Sequence, residues 1–295
     1  MRSLLFVPGH DARKLAKGLD CGADALILDL EDAVPQAEKV RARSVTAEFV
    51  AAHSQRLPLF VRINAPSTGL ALDDLAAVVR ARPHGIMLPK CESGRDVARI
   101  AAWLSALEAR DGIADGVVRI LPIATESAVA LLDMGSYARE AGTRLCGLMW
   151  GGEDLAADLG SIANRNVQGR YTAPFELARS LTLLGATAAQ VAAVDAVYTN
   201  FRDPDGLRAE AAEALRDGFS AKAAIHPDQV GPINEAFTPS AQDLAWAQRV
   251  VEVFAQAPDT AIAVLDGKML DRPHLRAAQR VLSRAARAPN PTISP

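Results

Sequence analysis

The chain has 295 residues, a formal net charge of -3 and 49% hydrophobic residues. Because half of its residues are apolar, it can build a large core and is not globally disordered. The 32 basic residues are balanced by 35 acidic ones, which argues against nucleic acid as a partner, since a nucleic-acid surface needs clustered positive charge.

Three cysteines without CxxC spacing indicate a reducing compartment without disulfides or structural zinc. No apolar run approaches the roughly 20 residues of a membrane span, so we expect a cytoplasmic protein with no membrane partner.

A short apolar run followed by a longer amphipathic stretch recurs along the chain. Continuous apolar runs are typical of buried parallel strands. The predicted strands are 4–7, 25–30, 59–63, 85–88, 119–124, 145–150, 195–198 and 221–225, and the predicted helices include 73–82, 94–110, 126–141 and 174–191. Eight such units predict an α/β fold, the (β/α)8 TIM barrel. A doubly wound open sheet is the alternative, but the glycine-rich GxGxxG turn that usually follows its first strand is absent.

The alternation of short apolar runs and longer amphipathic stretches stops after the eighth unit. We predict that residues 1–235 form the barrel and that residues 236–295 form a C-terminal helical extension. Ser240 is a candidate N-cap for a helix that ends near residue 256. A short apolar piece at 261–265 leads to an Asp-Gly turn, and a last helix is expected over about 273–287.

The predicted carboxyl ends of the strands are unusually polar. In a TIM barrel this end carries the chemistry. The polar residues at these ends are His10, Asp11, Asp29, Glu31, Asp32, Arg62, Asn64, Lys90, Glu92, Glu126, Glu153, Asp154 and His226. We therefore expect several acids and at least two cations to converge on one rim, because a merely solvated face would not place charges at nearly every strand end.

Glu126 and Asp154 each follow a strongly apolar strand and are each expected to begin a helix. Two carboxylates can hold Mg²⁺, which takes one or two of them together with waters and substrate oxygens. The alternative is that both are first-turn acids favoured by the helix dipole. Their positions at the ends of consecutive strands favour a metal site.

Two further features point to a ligand at the same rim. Gly151 and Gly152 let the backbone approach a ligand, and the helix that follows presents free N–H groups to a substrate carboxylate; a simple tight turn is the alternative. Arg62 lies in an apolar strand, where an unpaired charge is costly. It either holds a substrate carboxylate or enolate oxygen or pairs with Asp29 or Glu31, and the two are compatible.

A small basic group, Arg13, Lys14 and Lys17, follows the first strand. It forms either a solvated helix face or contacts to the phosphates of a ligand. The histidines have no metal-ligand spacing, and Cys91 has no evident base partner, so neither a histidine metal site nor a cysteine nucleophile is expected.

Eight segments along the chain match a known family in order. They are Val-Pro-Gly at 7–9, Leu-Glu-Asp-Ala-Val at 30–34, Arg-Ile-Asn at 62–64, Leu-Pro-Lys at 88–90, Thr-Glu at 125–126, Gly-Gly-Glu-Asp-Leu at 151–155, Ile-His-Pro at 225–227 and Asp-Gly-Lys-Met-Leu-Asp at 266–271. Together they resemble the citrate lyase beta-subunit/malyl-CoA lyase family of CoA ester lyases, over nearly the whole chain.

This resemblance implies a TIM barrel that binds Mg²⁺, with Mn²⁺ as a possible substitute, and cleaves or forms a C–C bond in a 3-hydroxyacyl-CoA thioester. It implies Glu126 and Asp154 as metal ligands and Arg62 as a catalytic contact to the substrate. Asp271 would transfer the proton, from a C-terminal segment that closes over a neighbouring subunit. A homotrimer or hexamer is therefore expected.

The resemblance also implies roles for residues around these groups. Asp29, Glu31 and Asp32 match an acidic segment beside the metal. The remaining candidates are, for the substrate, Glu126, Gly151, Gly152, Glu153 and Lys90, and, for CoA, Arg13 and Lys14.

Several alternatives stay open at this point. Malyl, methylmalyl, citramalyl and citryl thioesters all fit the same chemistry, as does a citryl-carrier lyase subunit of a citrate lyase complex. A class II-type aldolase acting on free 2-oxo acids is less favoured, because it needs no lid like the Asp271 segment. A barrel kept as a non-enzymatic scaffold is the last alternative.

Overall fold

The computed structural model describes residues 1–256 and 260–287. Its main sheet consists of eight parallel strands: β1 (Ser3–Pro8), β2 (Ala25–Asp29), β3 (Leu59–Arg62), β4 (Gly85–Leu88), β5 (Arg119–Pro122), β6 (Gly147–Met149), β7 (Ala192–Asp195) and β8 (Ala221–Ala224). They neighbour one another in the order β5-β4-β3-β2-β1-β8-β7-β6. Parallel bridges from Ile120 to Leu145 and from Ile123 to Met149 join the two outer strands. The sheet therefore closes, and the predicted (β/α)8 barrel is confirmed.

Helices surround the strands and continue beyond them. They are α1 (Ala12–Leu19), α2 (Lys39–His53), α3 (Ala71–Val78), α4 (Gly94–Arg110), α5 (Ala128–Leu132), α6 (Ser136–Glu140), α7 (Glu153–Asp158), α8 (Ala173–Ala188), α9 (Pro204–Asp217), α10 (Val230–Phe237), α11 (Ala241–Gln256) and α12 (Arg272–Arg287). Within the described residues, none of the helices has the length and apolar character needed to cross a bilayer.

Two predicted elements were wrong in detail. The helix expected over 126–141 is broken into α5 and α6, because the hydroxyl of Ser136 donates to the carbonyl of Asp133 and ties the chain between them. Helix α5 is capped by Ser127, so Glu126 precedes the helix instead of beginning it. The seventh strand ends at Asp195, where the apolar pattern had predicted that it begins.

The core has two layers, because the strands are apolar on both faces. Alternate residues point into the barrel, where Leu4, Ile27 and Phe60 pack together. Their neighbours point outward against the helices, as Leu5 and Leu26 do. This double burial explains why the strands appear in the sequence as continuous apolar runs.

The extension forms a further unit with its own apolar cluster, Ala247, Val250, Phe254, Ala263, Leu270 and Ala278. Ser240 and Asp243 hydrogen-bond each other's backbone and side chains at the start of α11, which confirms the expected helix start. Between α11 and α12 the chain forms an antiparallel hairpin, β9 (Ile262–Leu265) and β10 (Lys268–Asp271). The sequence had predicted an apolar piece and a turn there, but no strands. The boundary at 235/236 stays a prediction, and residues 288–295 lie outside the described part.

The extension leaves the barrel at the end opposite the rim. Thr238, which follows α10, accepts a hydrogen bond of 2.9 Å from Arg2, just before β1. Arg284 of α12 lines a cavity with residues at the amino ends of the strands, Met1 and Gly147 among them. The extension that carries the hairpin is thus attached at the amino-terminal end of its own barrel.

Candidate active site

A cavity of about 470 Å³ opens at the carboxyl ends of the strands. Eight of the predicted site residues line it: Asp29, Asp32, Arg62, Glu126, Gly151, Gly152, Glu153 and Asp154. A second cavity of about 690 Å³ adjoins it, contains Lys90 and shares Glu126 and Asp154 with the first. The expected convergence of charges on one rim is therefore found.

Glu126 and Asp154 lie side by side between the two cavities. Glu126 follows β5 and is 6% exposed, whereas Asp154 lies in the first turn of α7 with a side chain that is 38% exposed. Their carboxyl groups are within hydrogen-bonding reach of each other. In the described residues, no cluster of three or more His, Cys, Asp or Glu side chains could hold a metal, so a cation here would depend on this pair.

The electrostatics of the pair favour a cation. The pKa of Glu126 is raised to about 8, chiefly by burial and also by the neighbouring carboxylates of Asp154 and Glu31, while a hydrogen bond from the Lys90 backbone opposes the increase. Two adjacent carboxylates cannot both ionise cheaply without a compensating positive charge. A hard divalent ion with oxygen ligands supplies that charge.

Gly151 leaves the space that such a site needs. A Cβ atom on this residue would lie 3.0 Å from Cγ2 of Ile123 and 3.1 Å from Cγ of Glu126. Both distances are shorter than an ordinary van der Waals contact, so any side chain at position 151 would crowd the side chain of Glu126. The glycine thus keeps Glu126 in place, and the donor set fits a cation.

Lys90 serves both cavities through its backbone and its side chain. Its φ of 49° is left-handed, an uncommon conformation for a residue with a side chain. In this conformation its N–H donates to Glu126, while Nζ lies 2.7 Å from Oε1 of Glu31 and 3.4 Å from Oδ1 of Asp154. Burial alone would lower the pKa of Lys90, but the hydrogen bond to Glu31 and the nearby carboxylates raise it. Lys90 therefore remains a cation beside three acids.

Arg62 forms the ion pair that was one of the two roles considered for it, and it also lines the cavity. Its Nε and Nη2 atoms donate to the two carboxylate oxygens of Asp29 at 2.7 and 2.6 Å, and Nη1 lies 3.1 Å from Glu31. Asp29 is itself fixed, because it accepts the backbone N–H groups of Glu31 and Ala33 at 2.8 and 3.0 Å. The guanidinium group is thus both ion-paired and held at the cavity wall.

The acidic segment is held in place by Lys39, which no sequence motif predicted as a site residue. Nζ of Lys39 donates to the carbonyl oxygens of Leu30 and Glu31 and to Oδ1 of Asn64, each at 2.7 Å. Asn64 also donates to Asp74 at 2.7 Å. Lys39 begins α2, away from any strand end, so its place in the sequence does not mark it as a site residue.

The loop between α7 and α8 supplies a further part of the cavity wall. Tyr171 lines the cavity and packs edge-on against Trp150, with ring centroids 4.9 Å apart. Glu153, expected to contact substrate, accepts a hydrogen bond of 2.8 Å from Asn164 of the same loop. No sequence signal had assigned Tyr171 to the site.

Three predicted site residues lie elsewhere in this single chain. Arg13 and Lys14 are exposed in the first turn of α1, where their backbone N–H groups are capped by Asp11. Asp271 ends β10 in the extension, and its carboxylate lies 2.5 Å from Nδ1 of His274. None of the three is among the residues lining the two rim cavities in the described chain.

Known proteins resemble this chain in sequence and in fold. It is 34% identical over 288 residues to a (3S)-malyl-CoA thioesterase of Cereibacter sphaeroides, covering 96% of this chain and 94% of that protein. It is 32% identical over 302 residues to a mitochondrial citramalyl-CoA lyase of Rattus norvegicus, covering 96% and 86% of the two chains. A crystal structure of protein CitE from Mycobacterium tuberculosis, in complex with magnesium, acetoacetate and coenzyme A, superposes with a TM-score of 0.77 at 34% identity. That superposition covers 97% of this chain and 98% of CitE.

The family model described as HpcH/HpaI aldolase/citrate lyase matches residues 2–227, which span the whole barrel. This match and the relatives agree with the family suggested by the sequence motifs. The chain therefore belongs to the HpcH/HpaI aldolase/citrate lyase family of carbon–carbon lyases.

Proposed function

We propose that this protein is a Mg²⁺-dependent lyase that cleaves a 3-hydroxyacyl-CoA thioester of the malyl or citramalyl type into acetyl-CoA and a 2-oxo acid. The observation that carries the proposal is the pair of adjacent carboxylates, Glu126 and Asp154, at the cavity that Arg62 also lines. The relatives add support, because they are named for malyl-CoA and citramalyl-CoA and one structure contains magnesium with coenzyme A.

The residues divide the chemistry of C–C cleavage among them. Held by Glu126 and Asp154, Mg²⁺ would act as a Lewis acid toward the hydroxyl and carboxylate oxygens of the substrate, and Mn²⁺ could replace it. Arg62, oriented by Asp29, donates to the enolate oxygen that forms as the bond breaks. As the ketone forms, the hydroxyl proton is lost to solvent, and Asp271, protonated from solvent, gives its proton to the enolate carbon to form acetyl-CoA. In the condensing direction Asp271 removes a methyl proton instead. The thioester makes that proton acidic enough for a carboxylate base.

Asp271 does not line the rim cavities in the described single chain, and we propose that a second copy brings it there. The hairpin has one exposed apolar face, with Ile262, Val264 and Met269 54–67% exposed. Asp271 pairs with Ile262 across the hairpin and lies two residues from Met269, so it belongs to the same face. An exposed apolar face of this kind is typical of an interface. This supports a homotrimer or hexamer in which the hairpin of one subunit covers the cavity of the next.

The cavity wall favours a small substituent on the hydroxyl-bearing carbon. Arg62 is the one cation among the residues lining the first cavity in the described chain, and its guanidinium already contacts Asp29, Glu31 and Asp32. Apolar residues such as Ile123 and Val197 form much of the remaining wall. The second free carboxylate of a citryl group would therefore be buried without a counterion, which is costly.

We expect malyl-CoA or citramalyl-CoA to be cleaved with a kcat/KM at least about 100-fold above that of citryl-CoA, because of this unpaired carboxylate. The purified protein with Mg²⁺ is assayed against these esters, and acetyl-CoA, free CoA and 2-oxo acid are measured separately. Equal cleavage of citryl-CoA would refute the preference. Release of free CoA with an intact hydroxy acid would identify a thioesterase, and cleavage of free hydroxy acids alone would identify an aldolase.

Arg62→Lys is expected to lower kcat by about 100-fold. An ammonium group cannot donate hydrogen bonds to both carboxylate oxygens of Asp29 and to the enolate oxygen at the same time. The matched control is Arg2→Lys, which alters a similar two-oxygen pair with Asp24, at 3.0 and 2.8 Å, near the other end of the barrel. Steady-state kinetics decide the outcome. Equal activity in the two variants would show that Arg62 serves folding alone.

A further inference from the structure

A closed chain of contacts joins the cavity wall to charges buried beside β7 and β8. Lys222 of β8 is fully buried, and its Nζ lies 2.6 Å from Oδ2 of Asp195 and 2.8 Å from Oε1 of Glu210. Its strand neighbours, Ala221 and Ala223, pack inside the barrel, so Lys222 points outward toward the helices. Buried charges of this kind persist only when they are paired.

Both ends of this charge cluster reach residues that line the cavity. On one side, Asp195 accepts a 2.7 Å hydrogen bond from Nε1 of Trp150. On the other side, Glu210 of α9 accepts a 2.7 Å hydrogen bond from Nη2 of Arg165, in the loop between α7 and α8. The guanidinium of Arg165 lies 3.7 Å from the ring centroid of Tyr171. Tyr171 packs on Trp150. The contacts therefore form a closed circuit that begins and ends at these two residues of the cavity wall.

Within this closed circuit of contacts, Glu210 is the residue that joins the α7–α8 loop to the barrel. One of its carboxylate oxygens faces the loop cation Arg165 and the other faces the strand cation Lys222. Its side chain is 10% exposed, whereas that of Arg165 is 24% exposed. A charge-assisted pair with little exposure is stronger than a solvated one. The loop is therefore held at one point by a carboxylate that is not among the residues lining either rim cavity in the described chain.

We propose that Glu210 is a positioning residue that sets the place of the α7–α8 loop, so that Tyr171 and Trp150 form the wall against which the substituent of the acyl substrate packs. Because the cavity is the proposed substrate site, this role in binding rests on the proposed function. The role in holding the loop does not depend on it.

The test is Glu210→Gln, which keeps the shape of the side chain and leaves Lys222 paired with Asp195. The matched control is Glu213→Gln on the same helix, whose partner Arg216 lies 3.0 Å away at the surface. We expect Glu210→Gln to raise KM for the acyl-CoA ester about tenfold with kcat within about twofold, because ground-state packing is lost and the chemistry is not. Affinity for Mg²⁺ should be unchanged.

Limited trypsin digestion gives a readout that does not need activity. We expect cleavage after Arg165 and Arg170 to become about tenfold faster in Glu210→Gln, as a loosened loop opens locally more often. If that variant does not fold, Arg165→Gln removes the loop contact and leaves the buried pair intact, and cleavage after Arg170 is followed instead. Unchanged cleavage and KM, or equal changes in Glu213→Gln, would overturn the assignment. If wild type cleaves no CoA ester, the proposed function fails, and digestion still decides whether Glu210 holds the loop.

Discussion

We expect Asp154→Ala to lower kcat/KM by at least about 1,000-fold, because without its second carboxylate the site cannot hold the Lewis acid that the reaction needs. Calorimetric titration should show no measurable Mg²⁺ binding. Glu126→Gln should have the same effect, since the amide removes the charge but keeps the length of the side chain. Assays with and without a chelator measure the metal dependence directly.

Thermal unfolding shows whether Asp154→Ala is inactive because it cannot bind Mg²⁺ or because it does not fold. A ligand that binds only the folded state raises the melting temperature, so Mg²⁺ should stabilise the wild type and not Asp154→Ala. Without metal, the variant should be at least as stable as the wild type, since it removes one of two adjacent carboxylates. The control is Asp228→Asn, which removes an 83% exposed acid after β8. Full activity of the wild type in chelator would exclude the metal.

The barrel and its charged rim could be predicted because both depend on local pattern. Strands buried on two faces are continuously apolar, and the carboxyl ends of parallel strands must meet at one edge. The seventh strand shows the limit of this reasoning. Ala196 and Val197 continue the apolar pattern after Asp195, yet they line the cavity beyond the strand, where a substrate would cover them.

Contacts between distant segments could not be predicted. Lys222 has the residue type of a surface cation but is fully buried, because its partners Asp195 and Glu210 come from another strand and a helix. Lys39 contacts the acidic segment from the start of α2. Such pairs follow from tertiary packing, and one sequence contains no periodic signal for them.

Asp271 shows a different limit, since the proposed function needs a second molecule to bring it to a site. We expect Asp271→Asn to slow proton exchange on the methyl group of acetyl-CoA by at least about 100-fold, because the amide cannot act as a general base. Mg²⁺ affinity should stay as in the wild type. The control is Asp266→Asn in the turn of the same hairpin, where Asp266 pairs with the surface residue Arg249 at 2.5 Å.

Mixed oligomers test which subunit the hairpin serves. Asp154→Ala and Asp271→Asn are each expected to be inactive, but a mixed oligomer places some intact hairpins over intact cavities of neighbouring chains. With random 1:1 assembly, about a quarter of the sites would combine both intact parts, so about a quarter of wild-type activity should return. Co-expression with two affinity tags isolates the mixed species, in which the expected fraction rises to about a third if the oligomer is a trimer. If activity stays absent in the mixture while proton exchange still needs Asp271, the hairpin must act on its own chain. The extension, which is attached at the amino-terminal end of the barrel, would then have to bring the hairpin to the rim, a displacement that hydrogen exchange in α11 would detect.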